Sequence, residues 1–248
     1  MPHLELIGLS GLPEVEAGAD LASLILSALR DGGHALSPGD VLVVTHKIVS
    51  KAEGCEVPLA GLDPSPLAAR WAERLGKDPR LVELALRQAV RIVRMDKGVL
   101  ITETRHGLVC ANSGVDASNA RPGYALTLPV DPDGSAHRLR EALRRATGVD
   151  TGVIISDTFG RPWREGLMNV AIGLAGVRAL EDYRGRHDTF GRPLVASVLA
   201  VADAIAAAAE LVMRKNLRIP VALVRGGRFE GDSRAPELLR RAESDLFR

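Results

Sequence analysis

The 248-residue chain is poor in several residue types, and each scarcity removes a class of protein. Two cysteines, Cys55 and Cys110, with no C-x-x-C spacing, exclude a disulfide framework and a zinc knuckle. Aromatic residues make up 3% of the chain, and the net charge of +1 gives no general affinity for nucleic acid or anionic membrane. No G-x-x-x-x-G-K-[ST] and no G-x-G-x-x-G occurs, which leaves any nucleotide to be held by another kind of cradle. The N-terminal "MPHLELIGLSGLPEV" lacks the basic-then-apolar order of a signal peptide. The longest apolar stretch, "PLVASVLAVADAIAAAAELVM", is interrupted by Asp203 and Glu210 and reads as a strand followed by a helix, not a membrane span. The chain is therefore expected in the cytoplasm. Lysine is also rare: there are five, against 27 arginines, and two of the five stand close together as Lys47 and Lys51.

What is present is ordinary globular material, 46% hydrophobic and 25% charged. "LELIGL" reads as a strand, and "DLASLILSALRDGG" as a helix from Asp20 closed by Gly32 and Gly33. The continuous apolar run Val41 to Val44 predicts a strand covered on both faces. Residues 66 to 95 predict helix with a break near "GKDP", and residues 98 to 114 a hairpin around Arg105-His106-Gly107. "ALTLPV" predicts a strand and "SAHRLREALRRATG" a helix capped by Ser135. Strands follow at 152–157 and 194–201, then a helix capped by Asp203 and running to Lys215, a strand "PVALVRGG" and a closing helix "APELLRRA". No repeat, linker or charge block marks a boundary, and strands and helices mix without a steady βαβ rhythm. The expected class is α+β, mixed sheets with flanking helices, rather than a doubly wound sheet.

Four apolar runs end in polar clusters, the places where ligands of α/β proteins gather. "VVTHKIVSK" ends in His46, Lys47, Ser50 and Lys51; "VCANSGVDASN" in Asn112, Asp116, Ser118 and Asn119. "VIISDTFGRPWR" ends in Asp157, Thr158, Arg161 and Arg164; "ALVRGGRFEGDS" in Arg225, Arg228, Glu230 and Asp232. Hard oxygen donors of this kind suit Mg²⁺ or Mn²⁺, with Asp116 and Asp157 as a minimum and Thr158 reaching a second ion. A turn or helix cap accounts for "SDT" alone, but leaves Arg161, Trp163 and Arg164 unexplained. Trp163 reads as the hydrophobic anchor of its turn. Lys51 and His46 can bracket one phosphate chain if their segment bends; a solvated helix start is the plain alternative. The residues alone thus point to a divalent-metal and phosphate site with substrates unnamed.

Taken in order, "GLPEV", "GDVLVVTHKIVSKAEG", "LITETRHGLVCANSGVDASN", "LPVDPDGSAHRLREAL", "GVIISDTFGRPWREG", "VADAIAAAAELV" and "VALVRGG" resemble the coenzyme F(420):L-glutamate ligase family, from about residue 5 to the C-terminus. The resemblance is to the free-standing form without a fused C-terminal domain, and implies one unit over 1–248 built of two intertwined lobes, in a homodimer. It implies GTP-dependent addition of L-glutamate to the terminal carboxylate of F(420)-0 through an acyl phosphate, releasing GDP and phosphate, with further γ-linked glutamates to follow. By the same resemblance two Mg²⁺ or Mn²⁺ ions are held by Asp116, Asp157, Thr158 and a residue of the loop after "VALVRGG", taken as Glu230; a K⁺ ion is a further candidate. Leu12, Pro13, Glu14, Val15, His46, Lys51 and Asn119 would contact GTP. Lys51, Arg161 and Arg164 would steady phosphate and carboxylate groups, Arg being suited to bidentate contact. The segment after "WR-x-G" reads Leu167-Met168-Asn169, which departs from the family pattern. Two alternatives stand beside this reading: a metal-GTP ligase with another acid acceptor, and a nucleotide-binding module without catalysis. The presence together of Asp116, Asp157, Thr158 and Lys51 favours the enzyme.

Overall fold

A computed structural model describes residues 3–245. Its centre is a five-stranded mixed sheet made by β1 (Glu5–Leu9), β2 (Val41–Thr45), β8 (Gly152–Arg161), β9 (Arg164–Ala175) and β12 (Val221–Arg225), in the order β1-β12-β2-β8-β9. Only β2 and β8 run parallel, Val41 opposite Gly152 and Thr45 opposite Ser156; the other neighbours are antiparallel. The class is α+β, as expected.

Strand alternation decides which side chain meets which layer. Leu42, Val44, Val153, Ile155, Val221 and Leu223 point to one face, where they pack with Ile25 and Leu29 of α1 (Leu21–Asp31) and Leu139 and Leu143 of α5 (Pro132–Thr147). Val41, Val43, Ile154, Ala222 and Val224 point to the other, against Ala202, Ile205, Ala206 and Ala209 of α6 (Val201–Met213). Both faces are covered, which is why these strands are apolar without a break. A third cluster is separate. It gathers α3 (Pro66–Leu75) and α4 (Pro79–Gln88) around Leu100 and Ala125, beside a three-stranded sheet of β4 (Ala89–Asp96), β5 (Val99–Thr104) and β6 (Val109–Ala111). Two short pairs complete the set, β3 (Glu56–Pro58) with β7 (Tyr124–Leu126) and β10 (Leu180–Asp182) with β11 (Val198–Ala200).

Several sequence expectations are corrected. Residues 89 to 95 are strand, not helix: Lys97 and Gly98 take φ of 49° and 81°, the two left-handed residues of a tight hairpin turn, and fold β4 back onto β5. Helix α5 is capped one turn earlier than expected, by Asp131, whose carboxylate accepts from Gly134 N at 3.0 Å; Ser135 Oγ instead donates to Glu53. Asp203 does not cap α6 but reaches across to accept from Ala171 N, and α6 ends at Met213. Within 194–201 only Val198–Ala200 is strand, and "APELLRRA" forms only a 3-10 turn, Ala235–Leu238. The hairpin around Arg105-His106-Gly107 and the strands at 41–44, 152–157 and 221–225 are present.

Candidate active site

β2 stops at Thr45 and the chain enters α2 (His46–Ala52) with no intervening loop. β8 does not stop there. It continues past Ser156, the last residue paired with β2, as far as Arg161. Ser156 and Asp157 are strand residues, as expected for 152–157, and the strand runs on through Thr158 instead of turning there. A bulge marks the same point: Ile155 pairs with Gly173 and Ser156 with Ala171, leaving Ile172 as the extra residue of β9. Beside Asp157, where β2 would have run, stands the first turn of α2.

That geometry brings His46 and Asp157 together. His46 is 1% exposed, and its Nε2 lies 3.2 Å from Asp157 Oδ1. Nε2 makes no aligned hydrogen bond, so the contact is electrostatic rather than a directed bond; Nδ1 faces Ser50 Oγ at 3.3 Å. Thr158 N donates to Asp157 Oδ1 at 2.7 Å. Burial pushes the Asp157 carboxyl up, but the His46 ring, the Thr158 amide and the Lys47 charge outweigh it and hold the group below the usual carboxylate range. Burial also raises the thiol of Cys110 on β6, and with the charge of Asp157 carries it to about 12. That thiol is no nucleophile.

Asp116 arrives from another element. After β6, Asn112, Ser113 and Gly114 take φ of 52°, 55° and 72°, a left-handed run that turns the chain so that Asp116 N and O both bond Leu126. The Asp116 carboxylate accepts from Ser118 N and Ser118 Oγ, each at 2.7 Å, and from Lys47 Nζ. Burial raises this carboxyl too, and again the balance falls below the ordinary value, through Lys47 and Ser118. One helical turn after Lys47, the buried Lys51 ammonium is paired with Glu14 Oε1. The Leu12-Pro13-Glu14-Val15 segment is thereby tied to α2, with Val15 in the core and Gly18 N bonded to Ala52 O. Asn119, at φ 59°, lies exposed at the end of the Asp116 turn.

Thr158 and Asp157 sit on opposite faces of β8, and Thr158 has its own support. Its hydroxyl donates to Asn169 Oδ1 at 2.8 Å, and Asn169 N donates to Glu210 of α6 at 2.9 Å. With the proton so committed, the Thr158 lone pairs remain free to accept or to ligate. Two ionised carboxylates and this oxygen are hard donors that fit Mg²⁺ or Mn²⁺ with phosphate oxygens completing the shell. Among the described residues no group of three or more His, Cys, Asp and Glu is placed to hold a metal ion by itself.

Other expected residues are not brought to this cluster. Because β12 runs against β2, the loop after it lies at the opposite end of the sheet, and the Glu230 carboxylate rests near Gly39, just before β2. There it lines a cavity of about 80 Å³ with Arg140, Asp150 and Thr151. Arg161 and Arg164 flank the tip of the β8–β9 hairpin, about 13 Å along the strand from Asp157. Arg161 donates to the carbonyls of Glu165 and Gly166 across that tip. Trp163, with φ 56°, is 78% exposed.

The sequence placed Lys47 in a polar cluster without giving it a role, and it did not bring Asn169 or the segment before β12 to the site. Lys47 and Lys51 are four apart on a helix and share a face, a signal that was available. Thr45 N bonds Pro220 O at 2.9 Å, which puts the segment carrying Arg214, Lys215 and Arg218 at the same end of the sheet as Asp157.

Comparison with known proteins gives the class first: the matches are ligases. The family model described as F420-0:Gamma-glutamyl ligase matches residues 11–226. The chain is 48% identical over 249 residues to the coenzyme F420:L-glutamate ligase of Methanothermobacter thermautotrophicus, covering 99% of each. It is 49% identical over 241 residues to that of Methanopyrus kandleri, covering 95% of this chain and 94% of the relative. To that of Methanocaldococcus jannaschii it is 40% identical over 249 residues, covering 99% and 97%. The chain belongs to the F420-0:gamma-glutamyl ligase family, and it is a ligase. Among the described residues no helix is long and apolar enough to cross a membrane.

Proposed function

We propose that this chain joins L-glutamate to the terminal carboxylate of F(420)-0 at the expense of GTP, releasing GDP and phosphate, and that it extends the product by further γ-linked glutamates. The observation that carries the reading is the convergence of two ionised carboxylates, Asp116 and Asp157, with the ammonium groups of Lys47 and Lys51 at one end of the sheet. Family membership narrows the acceptor to F(420)-0.

A carboxylate is a poor electrophile toward an amine. The chemistry therefore requires activation, and transfer of the γ-phosphoryl group of GTP onto the acceptor carboxylate supplies it. The amine of L-glutamate then attacks the acyl phosphate carbonyl, the C–O bond to phosphate breaks, and the amine proton leaves to solvent. Asp116 and Asp157 would hold Mg²⁺ or Mn²⁺, with Thr158 at a second ion; such ions neutralise charge on phosphoryl oxygens and align attacking and leaving groups. Lys51, Asn119 and the turn from Leu12 to Val15 would contact the nucleotide, and His46, 3.2 Å from Asp157 Oδ1, would steady that carboxylate. Fixing the amine beside the activated carbonyl can lower the barrier by about 7–11 kcal/mol in ideal cases. Arg161 and Arg164, at the hairpin tip, serve anionic substrate in this reading only if the tip or a second subunit brings them to it. A homodimer in the cytoplasm, with K⁺ as an accessory ion, completes the proposal.

Oxygen-18 in both terminal carboxylate oxygens of F(420)-0 tests it. Activation by phosphoryl transfer leaves one labelled oxygen in the released phosphate, with one GDP formed for each glutamate added. Unlabelled phosphate, or turnover without GTP, contradicts the reading.

A further inference from the structure

Lys47 stands where a cation would. Its ammonium donates to Asp116 Oδ2, the oxygen that also receives Ser118 Oγ, and its charge acts on Asp157 as well. With Ser118 N on the other oxygen, Asp116 has every partner it needs. Asp157 is likewise met by His46 and Thr158. A divalent cation that binds Asp116 through Oδ2 must displace Lys47 from it. Lys51, four residues on, differs: its partner Glu14 is 77% exposed and is not one of the paired carboxylates.

The backbone of α2 at this point is fixed, because His46, Ile48 and Val49 on either side of Lys47 are buried. The Lys47 side chain is not fixed in the same way; it is partly exposed, and its four-carbon stem can move the ammonium by several ångströms without disturbing the helix. Exchange for a cation would free a positive charge beside the site. That charge is costly to leave unpaired among buried groups and finds its natural partner in an oxyanion.

We propose that Lys47 is a built-in counter-ion, which holds Asp116 against a free divalent cation and gives way when a polyphosphate is present to receive its ammonium. The inference rests on the metal-nucleotide reading above. It makes metal and nucleotide binding mutually reinforcing: each arrives more tightly when the other is there, and by the same factor. Lys47 is thus a positioning residue that couples the two bindings.

Mn²⁺ binding followed by electron paramagnetic resonance on the full chain, without nucleotide, tests this directly. Lys47→Met is expected to bind Mn²⁺ about tenfold more tightly than the unaltered protein, within the ordinary range of coupling between sites. Lys51→Met is expected to stay within about twofold, since its carboxylate is not the contested one. Circular dichroism establishes that each variant is folded; should Lys47→Met fail there, Lys47→Gln carries the same test. Equal or weaker Mn²⁺ affinity in the Lys47 variant overturns the proposal. A separate calorimetric titration with Mn²⁺ and GTP together distinguishes the underlying reading. If no protein takes up Mn²⁺ either alone or with GTP, the carboxylates hold no cation, and both the reading and the counter-ion role fail.

Discussion

His46 Nε2 lies 3.2 Å from Asp157 Oδ1 because β2 ends at Thr45 while β8 runs on. The pair is buried, and neither member can be removed cheaply. Replacing His46 by Leu is expected to cost about 1–3 kcal/mol of stability by leaving a buried carboxylate short of a partner. In the Asp157→Asn background the same change is expected to cost less, since the stranded charge is gone. A double-mutant cycle by urea denaturation measures the coupling; additive costs would show that the two side chains do not depend on each other.

Asn169 holds the proton of Thr158, and Glu210 holds the Asn169 amide. Asn169→Ala is expected to reduce metal affinity or turnover roughly 10- to 100-fold, the usual cost of losing a group that orients a ligand. The loss should appear as a raised Mn²⁺ requirement and be partly recovered at high Mn²⁺. Turnover unchanged at every metal concentration would show that Thr158 needs no such support.

Gly114 takes φ 72°, and a Cβ there would stand 2.6 Å from Leu128 Cγ. Gly114→Ala is expected to destabilise the fold by about 1–3 kcal/mol through backbone strain, with added crowding at Leu128. The turn it belongs to presents Asp116, so the metal requirement should rise as well. Thermal melting and a metal titration on the same sample check both parts.

Asp203 is buried under β9, and burial raises its carboxyl above the ordinary 3.8. The sign follows from that. The protonated form favours the fold, so its contribution is complete below pH 3.8 and is lost as pH rises through the higher folded value. Asp203→Asn keeps an oxygen for Ala171 N and carries no charge. The variant is expected to melt higher than the unaltered protein at pH 7, with the difference closing as pH falls toward 3.8. A lower melting temperature at pH 7 would mean that the ionised carboxylate's bond to Ala171 N outweighs its burial.

The central strands were legible because burial on both faces demands unbroken apolar runs, and Val41 to Val44 and Val153 to Ile155 have them. β4 was not, since Val90, Ile92 and Val93 among arginines satisfy either a helical or an extended pattern, and the Lys97-Gly98 turn decides between them. Asp116, Asp157 and Lys51 were singled out because hard donors and a scarce cation follow apolar runs, and the fold brings them to one end of the sheet. Glu230 was misplaced because a strand's direction is invisible in sequence: the loop after an antiparallel β12 faces away from the ends of β2 and β8, and the segment before it faces them. The guanidinium groups of Arg161 and Arg164 were misjudged for a related reason. The strand expected to end at Asp157 runs four residues further, to Arg161, so the hairpin carries them away from the carboxylates.

On the proposed reading, this site adds glutamate to F(420)-0 with metal and GTP. Mass spectrometry of F(420)-0 incubated with L-glutamate, GTP and Mn²⁺ tests it most directly, with the unaltered protein and with Asp157→Asn. The account expects species heavier by one or more glutamyl units with the unaltered protein, none when metal is omitted, and none with the folded variant at ordinary Mn²⁺ concentrations. The same products from Asp157→Asn, or from reactions lacking metal, would contradict it.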